Sequence, residues 1–171
     1  MHFLKILVRG VHVSKTILFV CTGNTCRSIM AQALFKQLVS KQMGHQSTIK
    51  IQSAGLAAFP GDGASAHARQ VLKEQGINVD DHRARMLTPE MVEDAALVLT
   101  MTMKHKETVR ALVPHAEDKV FTLKEYCFSE EETAVLDVGD PYGLSRQAYL
   151  RVLVEFKEIL PRLWQKIKEE V

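Results

Sequence analysis

Cysteine is scarce in this chain: there are three, an odd number, and no pair is spaced C-x-x-C. A disulfide framework is therefore excluded, and a structural zinc site lacks its usual thiolate pairs. Thiols without partners fit a reducing compartment, so a cytoplasmic location is expected. A strong excess of one charge is also missing. Lys and Arg number 22 against 20 Asp and Glu, a formal charge of +2. Nucleic-acid binding calls for a strongly basic face, so no nucleic-acid partner is expected, although a small local anion site stays compatible with this balance. No apolar run approaches the ~18 residues of a membrane span, so no membrane partner is expected. The first apolar stretch covers only residues 3–8, is interrupted by Lys5 and meets no small-residue cleavage site. Residues 1–15 therefore read as an N-terminal extension and not as a signal peptide.

What is present is ordinary globular material, 46% hydrophobic and 25% charged over 171 residues. That length suits one domain with a self-sufficient core, expected over residues 16–171. A β-rich apolar run at 17–21 has the continuous hydrophobicity of a strand buried on both faces. Further strands are expected at 48–53, 96–101 and 119–123. Helices are expected from Ser28, as cap, to about Met43, at 65–75 before the stop signal Gly76, from the Thr88-Pro89 start to Asp94, and at 104–112. Residues 54–63 read as a loop. At the C-terminal end Tyr149, Val152, Leu153, Phe156, Leu160, Leu163, Trp164 and Ile167 form the stripe of a long amphipathic helix over 145–168, with Pro161 expected to kink it near Lys157. Alternating strands and helices imply an α/β fold, a three-layer doubly wound sandwich with a four-stranded parallel sheet flanked by helices on both faces.

The loop after the first strand carries the chemistry. A strand, a Gly-containing loop and a helix start make an anion site, because successive amides point inward and the helix N-terminus adds partial positive charge. Cys21 ends the strand and Arg27 lies six positions later, a C-x5-R spacing. The guanidinium is a planar fork that grips two phosphate oxygens. The same positive field favours a thiolate at Cys21, which makes it a nucleophile. Ser28 is placed to donate its hydroxyl to that sulfur.

The run Cys21, Thr22, Gly23, Asn24, Thr25, Cys26, Arg27, Ser28 resembles the signature loop of the low-molecular-weight protein tyrosine phosphatases. The resemblance extends from Thr16 to the C-terminal helix. Asp140-Pro141-Tyr142-Gly143 resembles the family's Asp-Pro loop, and Ser53-Ala54-Gly55 its segment after the second strand. Within the family the sequence is most similar to the bacterial protein arginine phosphatase branch, which has Thr where tyrosine phosphatases usually have an aliphatic residue at the position of Thr25. Residues 119–126 also look like that branch. Two departures stand out: Ile29 replaces a common Pro, and Tyr142 follows Asp-Pro as in the tyrosine phosphatases, where the arginine branch carries Phe.

The resemblance implies a protein-arginine phosphatase acting on phosphorylated protein substrates, with a tyrosine phosphatase as the alternative. Arsenate reductase is a more distant one, because only Cys127 lies outside the loop to serve a disulfide cascade. Cys21 would be the nucleophile, Arg27 and the loop residues Thr22, Gly23, Asn24, Thr25, Cys26 and Ser28 the phosphate cradle, and Asp140 the general acid and then base. Asp137 is a rival acid. Thr25, smaller than Ile and bearing a hydroxyl, would suit a polar guanidino leaving group. No metal or cofactor is expected, since Arg27 and the loop dipoles neutralise phosphate. Cys26, near Cys21, is placed to form a protective disulfide under peroxide. Leu56 to Phe59 and Tyr142 are expected to flank the site opening. His67, His82, His105 and His115 show no ligand spacing, and a monomer is expected.

Overall fold

The apolar runs of the sequence become the strands of one sheet. The computed structural model describes residues 14–44 and 48–170. Most of the expected extension thus lies outside the described residues, while Lys15 already belongs to the first strand. The strands are β1 (Lys15–Cys21), β2 (Ile49–Gly55), β3 (Leu97–Thr100) and β4 (Val120–Thr122). They pair in parallel in the order β2-β1-β3-β4. The helices are α1 (Arg27–Met43), α2 (Ala66–Lys73), α3 (Pro89–Asp94), α4 (Met103–Leu112), α5 (Leu123–Cys127) and α6 (Arg146–Ile167).

Side chains alternate across the pleat, and both faces of the sheet are covered. Ile17, Phe19 and Cys21 of β1, with Leu97 and Leu99 of β3, pack on one side against α1, α2, α5 and α6. Leu18 and Val20, with Val98 and Val120, pack on the other against α3 and α4. This is the doubly wound three-layer sandwich, and it explains why the strands read as unbroken apolar runs. Leu18, Phe19 and Val20 are wholly buried; each such side chain contributes about 1.5–3 kcal/mol on leaving water. The stripe of α6 is buried as its periodicity requires, and the helix continues through Pro161 as one element. Ser65 caps α2, accepting a hydrogen bond from the Ala68 amide, and Thr88 caps α3 in the same way.

Three details differ from the sequence reading. β2 continues through Ala54 and Gly55, which pair with Val20 and Cys21; their small side chains carry little strand signal, and the neighbouring strand supplies the register. A Cβ on Gly55 would stand 2.5 Å from the Thr22 carbonyl and 2.9 Å from the Asn24 amide, so only glycine allows the strand this close to the loop. The short helix α5 is set by a capping box in which Thr122 and Glu125 satisfy each other's amides, a two-residue signal easily overlooked. Ser28 is not the cap of α1: the helix begins at Arg27, and no side chain caps it. The Ser28 hydroxyl is engaged elsewhere, as described below.

After β1 the chain runs outward to β2 and then crosses to β3 on the other side. The crevice beyond the carboxyl ends of β1 and β3 is the switch point where such sheets bind ligands.

Candidate active site

Cys21 ends β1 at this switch point, and the loop to α1 wraps around its sulfur. The scaffold holds the loop by its carbonyls. The carbonyl of Cys21 accepts from the Leu56 amide at 2.9 Å, that of Thr22 from the Ala57 amide at 2.9 Å, and that of Thr25 from the Ser65 amide at 2.9 Å. The Asn24 carbonyl accepts from His82 Nε2 at 2.7 Å. In a trans peptide the following N–H points opposite to the carbonyl. Carbonyls drawn outward therefore turn the amides of Thr22, Gly23, Thr25 and Cys26 to the inner side. That arrangement is a nest for an oxyanion.

Asn24 makes the loop possible. It is fully buried and has φ of +57°, a left-handed conformation that Asn tolerates better than most residues. Its side chain is tied at every polar position. Nδ2 donates to Ser28 Oγ at 2.9 Å and to Ser53 Oγ at 2.8 Å, while Oδ1 accepts from the Arg85 amide at 3.0 Å. Arg85 in turn donates from Nε and Nη2 to the Ser53 carbonyl. Burial holds His82 below the usual histidine range, and the Arg85, Arg83 and Lys36 charges push the same way against the Asn24 hydrogen bond. A carbonyl oxygen only accepts, so Nε2 carries the proton of the bond to Asn24.

The sulfur of Cys21 accepts from the Asn24 amide at 3.3 Å and lies 2.9 Å from Ser28 Oγ. The Cys21 thiol donates to that oxygen, and a thiolate at Cys21 would accept from the Ser28 hydroxyl in its place. Arg27 is buried, its Nη1 donating to the Val138 carbonyl at 3.1 Å and its Nη2 pairing with Asp140 at 2.9 Å. The acid loop is anchored to the end of β3, where the Val138 amide donates to the Met101 carbonyl at 2.8 Å. Asp140 Oδ1 accepts from the Tyr142 amide at 3.1 Å, and Gly143, with φ of +72°, closes the turn.

Cys21, Thr22, Gly23, Thr25, Cys26, Arg27 and Asp140 thus line one cleft of about 210 Å3, with Ala57, Phe59, Asp62 and Tyr142 around it. Of the expected residues, Asn24 and Ser28 lie behind the loop rather than in the cleft. Asp137 is not brought in: its carboxylate accepts from the Met103 amide at the start of α4. Leu56 and Ala58 turn into the core, leaving Ala57 and Phe59 at the opening. Cys26 Sγ faces Tyr149 Oη at 3.2 Å and Ser65 Oγ at 3.5 Å. Tyr149 is pushed up to about 12, chiefly by burial. Cys127 is buried, which pushes its thiol up to about 12 and leaves it ill suited to thiolate chemistry.

His105 was not legible as part of the site. Thr102 caps α4 through the His105 amide, and this brings the ring to the loop, 2.9 Å from Thr22 Oγ1. Burial and the Arg27 charge lower it to about 4, against the pull of Asp140 and Asp137. Only the fold brings α4 beside the loop, so no local pattern reports it.

A deep anion cup with a sulfur at its base, a guanidinium in its wall and a carboxylate at its edge defines a phosphatase, a hydrolase of phosphoryl groups. Residues 16–171 match the low molecular weight phosphotyrosine protein phosphatase family, and the chain belongs to that family. It is 40% identical to the protein-arginine-phosphatase of Bacillus subtilis and 41% identical to that of Geobacillus stearothermophilus, over 90% of this chain and 97% of each relative. Among solved structures, a mutant of the YwlE arginine phosphatase with a phosphorylated active-site serine superposes with a TM-score of 0.81 at 40% identity, covering 90% of this chain and 95% of that one. Among the described residues no helix is long and apolar enough to cross a membrane.

Proposed function

We propose that the chain is a protein-arginine phosphatase that hydrolyses phosphoarginine in proteins through a cysteinyl-phosphate intermediate. Thr25 carries the choice of arginine, and the similarity to two protein-arginine-phosphatases supports it. Thr25 lines the cleft beside Cys21, where a larger aliphatic side chain would crowd a branched, polar leaving group. The second reading is phosphotyrosine, favoured by the exposed rings of Phe59 and Tyr142 at the cleft opening, which would also receive a phenyl group.

In the first step three phosphoryl oxygens take the inward amides and the Arg27 fork. The Cys21 sulfur attacks phosphorus as the bond to the guanidino nitrogen breaks, and Asp140 protonates that nitrogen. In the second step Asp140 removes a proton from water, whose oxygen attacks phosphorus. The sulfur–phosphorus bond breaks, Cys21 leaves as a thiolate steadied by Ser28 and the Asn24 amide, and inorganic phosphate departs. The residues need no metal or cofactor for this. The enzyme acts as a monomer in the cytoplasm.

Peroxide regulates the same sulfur. Hydrogen peroxide oxidises Cys21 to a sulfenic acid, Cys26 attacks it, and water leaves as the disulfide forms. Cys26 must first turn away from Tyr149. Wild type should then recover with a dithiol after peroxide, whereas Cys26→Ser should not.

The deciding experiment compares kcat/KM on phosphoarginine and phosphotyrosine, in wild type and in Thr25→Ile. Wild type should prefer phosphoarginine, and Thr25→Ile should lower that preference about tenfold or more. An unchanged ratio would remove Thr25 as the determinant. A wild type inactive on phosphoarginine would remove the arginine reading.

A further inference from the structure

We infer that Asp62 is a specificity residue of the cleft, whose carboxylate receives the cationic guanidinium of the substrate while Arg27 and the loop hold its phosphoryl group. This rests on the phosphoarginine reading above and adds the residue that recognises the leaving group.

The observation is an acid where electrostatics alone would not place one. The cleft lining holds one guanidinium, Arg27, and two carboxylates, Asp62 and Asp140. Asp140 is paired with Arg27 at 2.9 Å. Asp62 is exposed, and among the described residues its carboxylate has no ion-pair or hydrogen-bond partner. An unpaired carboxylate beside a phosphate cup repels the phosphoryl anion, and for a phenyl ester, whose leaving group is uncharged, it gives nothing in return. For a phosphoryl group attached to a guanidinium the balance reverses. The anion enters the cup and the cation is left at the opening, where a carboxylate can accept two parallel N–H bonds from the planar fork.

The position of Asp62 is set by the backbone. Gly61, with φ of +95°, forms the turn that precedes it. The Gly61 amide donates to the Ala84 carbonyl at 3.0 Å, and the Ala84 amide to the Asp62 carbonyl at 2.7 Å. The next residue, Arg85, donates its amide to Asn24 Oδ1. One short segment therefore fixes both the carboxylate at the opening and the loop at the base. Phe59 and Tyr142, also at the opening and 78% and 73% exposed, offer ring faces on which a flat guanidinium stacks.

The test uses free phosphoarginine, which has no flanking residues to engage Asp62, and p-nitrophenyl phosphate, which has no cation. Asp62→Asn should lower kcat/KM for phosphoarginine about five- to tenfold, and change that for p-nitrophenyl phosphate less than about twofold. Asp62→Glu should retain most of the phosphoarginine activity. High salt should lower the wild-type preference for phosphoarginine over p-nitrophenyl phosphate more than it lowers that of the Asn variant. Equal losses on both substrates, or no loss on phosphoarginine, would overturn the role of Asp62 while leaving the arginine reading standing. A wild type that hydrolyses p-nitrophenyl phosphate but not phosphoarginine would overturn both.

Discussion

Asn24 Nδ2 donates to Ser28 Oγ at 2.9 Å, and this bond holds the hydroxyl oxygen against the Cys21 sulfur. As a thiol Cys21 donates to that oxygen at 2.9 Å, and as a thiolate it can only accept, so the Ser28 hydroxyl then donates to the sulfur. Ser28 does not line the cleft, so it acts on the sulfur and not on substrate. Ser28→Ala should lower kcat about 10- to 100-fold with little change in KM. A rise in KM at constant kcat would show instead that Ser28 works through substrate binding.

Asp140 reaches the cleft because Val138 is anchored to Met101 on one side and to Arg27 on the other. Asp140→Asn should cost most where the leaving group is poor. The kcat/KM for such a substrate should fall about 100-fold or more, and that for an activated aryl phosphate much less. Equal losses on both would point to a different acid.

Gly55 brings β2 against the backbone of the loop that follows β1. Gly55→Ala would set a methyl 2.5 Å from the Thr22 carbonyl oxygen. Neither backbone can yield without disturbing the cup. Urea unfolding should show a loss of about 2–4 kcal/mol, with activity falling alongside. Wild-type stability in that variant would mean that the loop is more pliable than its hydrogen bonds imply.

His105 gives the fold an acid-sensitive element. Its pKa is lowered to about 4 in the folded protein, against about 6.5 in an unfolded chain. Between those values the unfolded state binds more protons, so stability rises with pH. The contribution is complete above about pH 6.5 and is lost as pH falls towards 4. Replacing His105 by Asn should flatten this part of the profile in denaturant titrations at several pH values. A variant profile parallel to wild type would assign the acid sensitivity to other groups.

Much of this was legible in the sequence where the signal was local. The apolar runs of β1 and β3 and the stripe of α6 each follow from one face or one period. Cys21 and Arg27 were legible because a strand, a glycine and a helix start surround their spacing. Asp140 was legible only through the Asp-Pro-Tyr-Gly resemblance, since nothing local distinguishes it from Asp137. What escaped depends on distant contacts. Ser28 looks like a helix cap until Asn24 is seen to hold it. Ala54 and Gly55 look like loop because their strand character comes from β1. His105 and Asp62 are separated from Cys21 by long stretches of chain, and only the parallel crossovers bring His105 to Thr22 and Asp62 to the cleft opening.

Whether the sulfur of Cys21 receives the phosphoryl group can be read by rapid quenching in denaturant at alkaline pH, which preserves a sulfur–phosphorus bond, followed by peptide mass analysis. During turnover of p-nitrophenyl phosphate by Asp140→Asn, where the leaving group needs no acid and the second step lacks its proposed base, one phosphoryl group should accumulate on the peptide containing Cys21. Cys21→Ser should show no turnover. Phosphate on any other residue, or steady turnover by Cys21→Ser, would contradict the account.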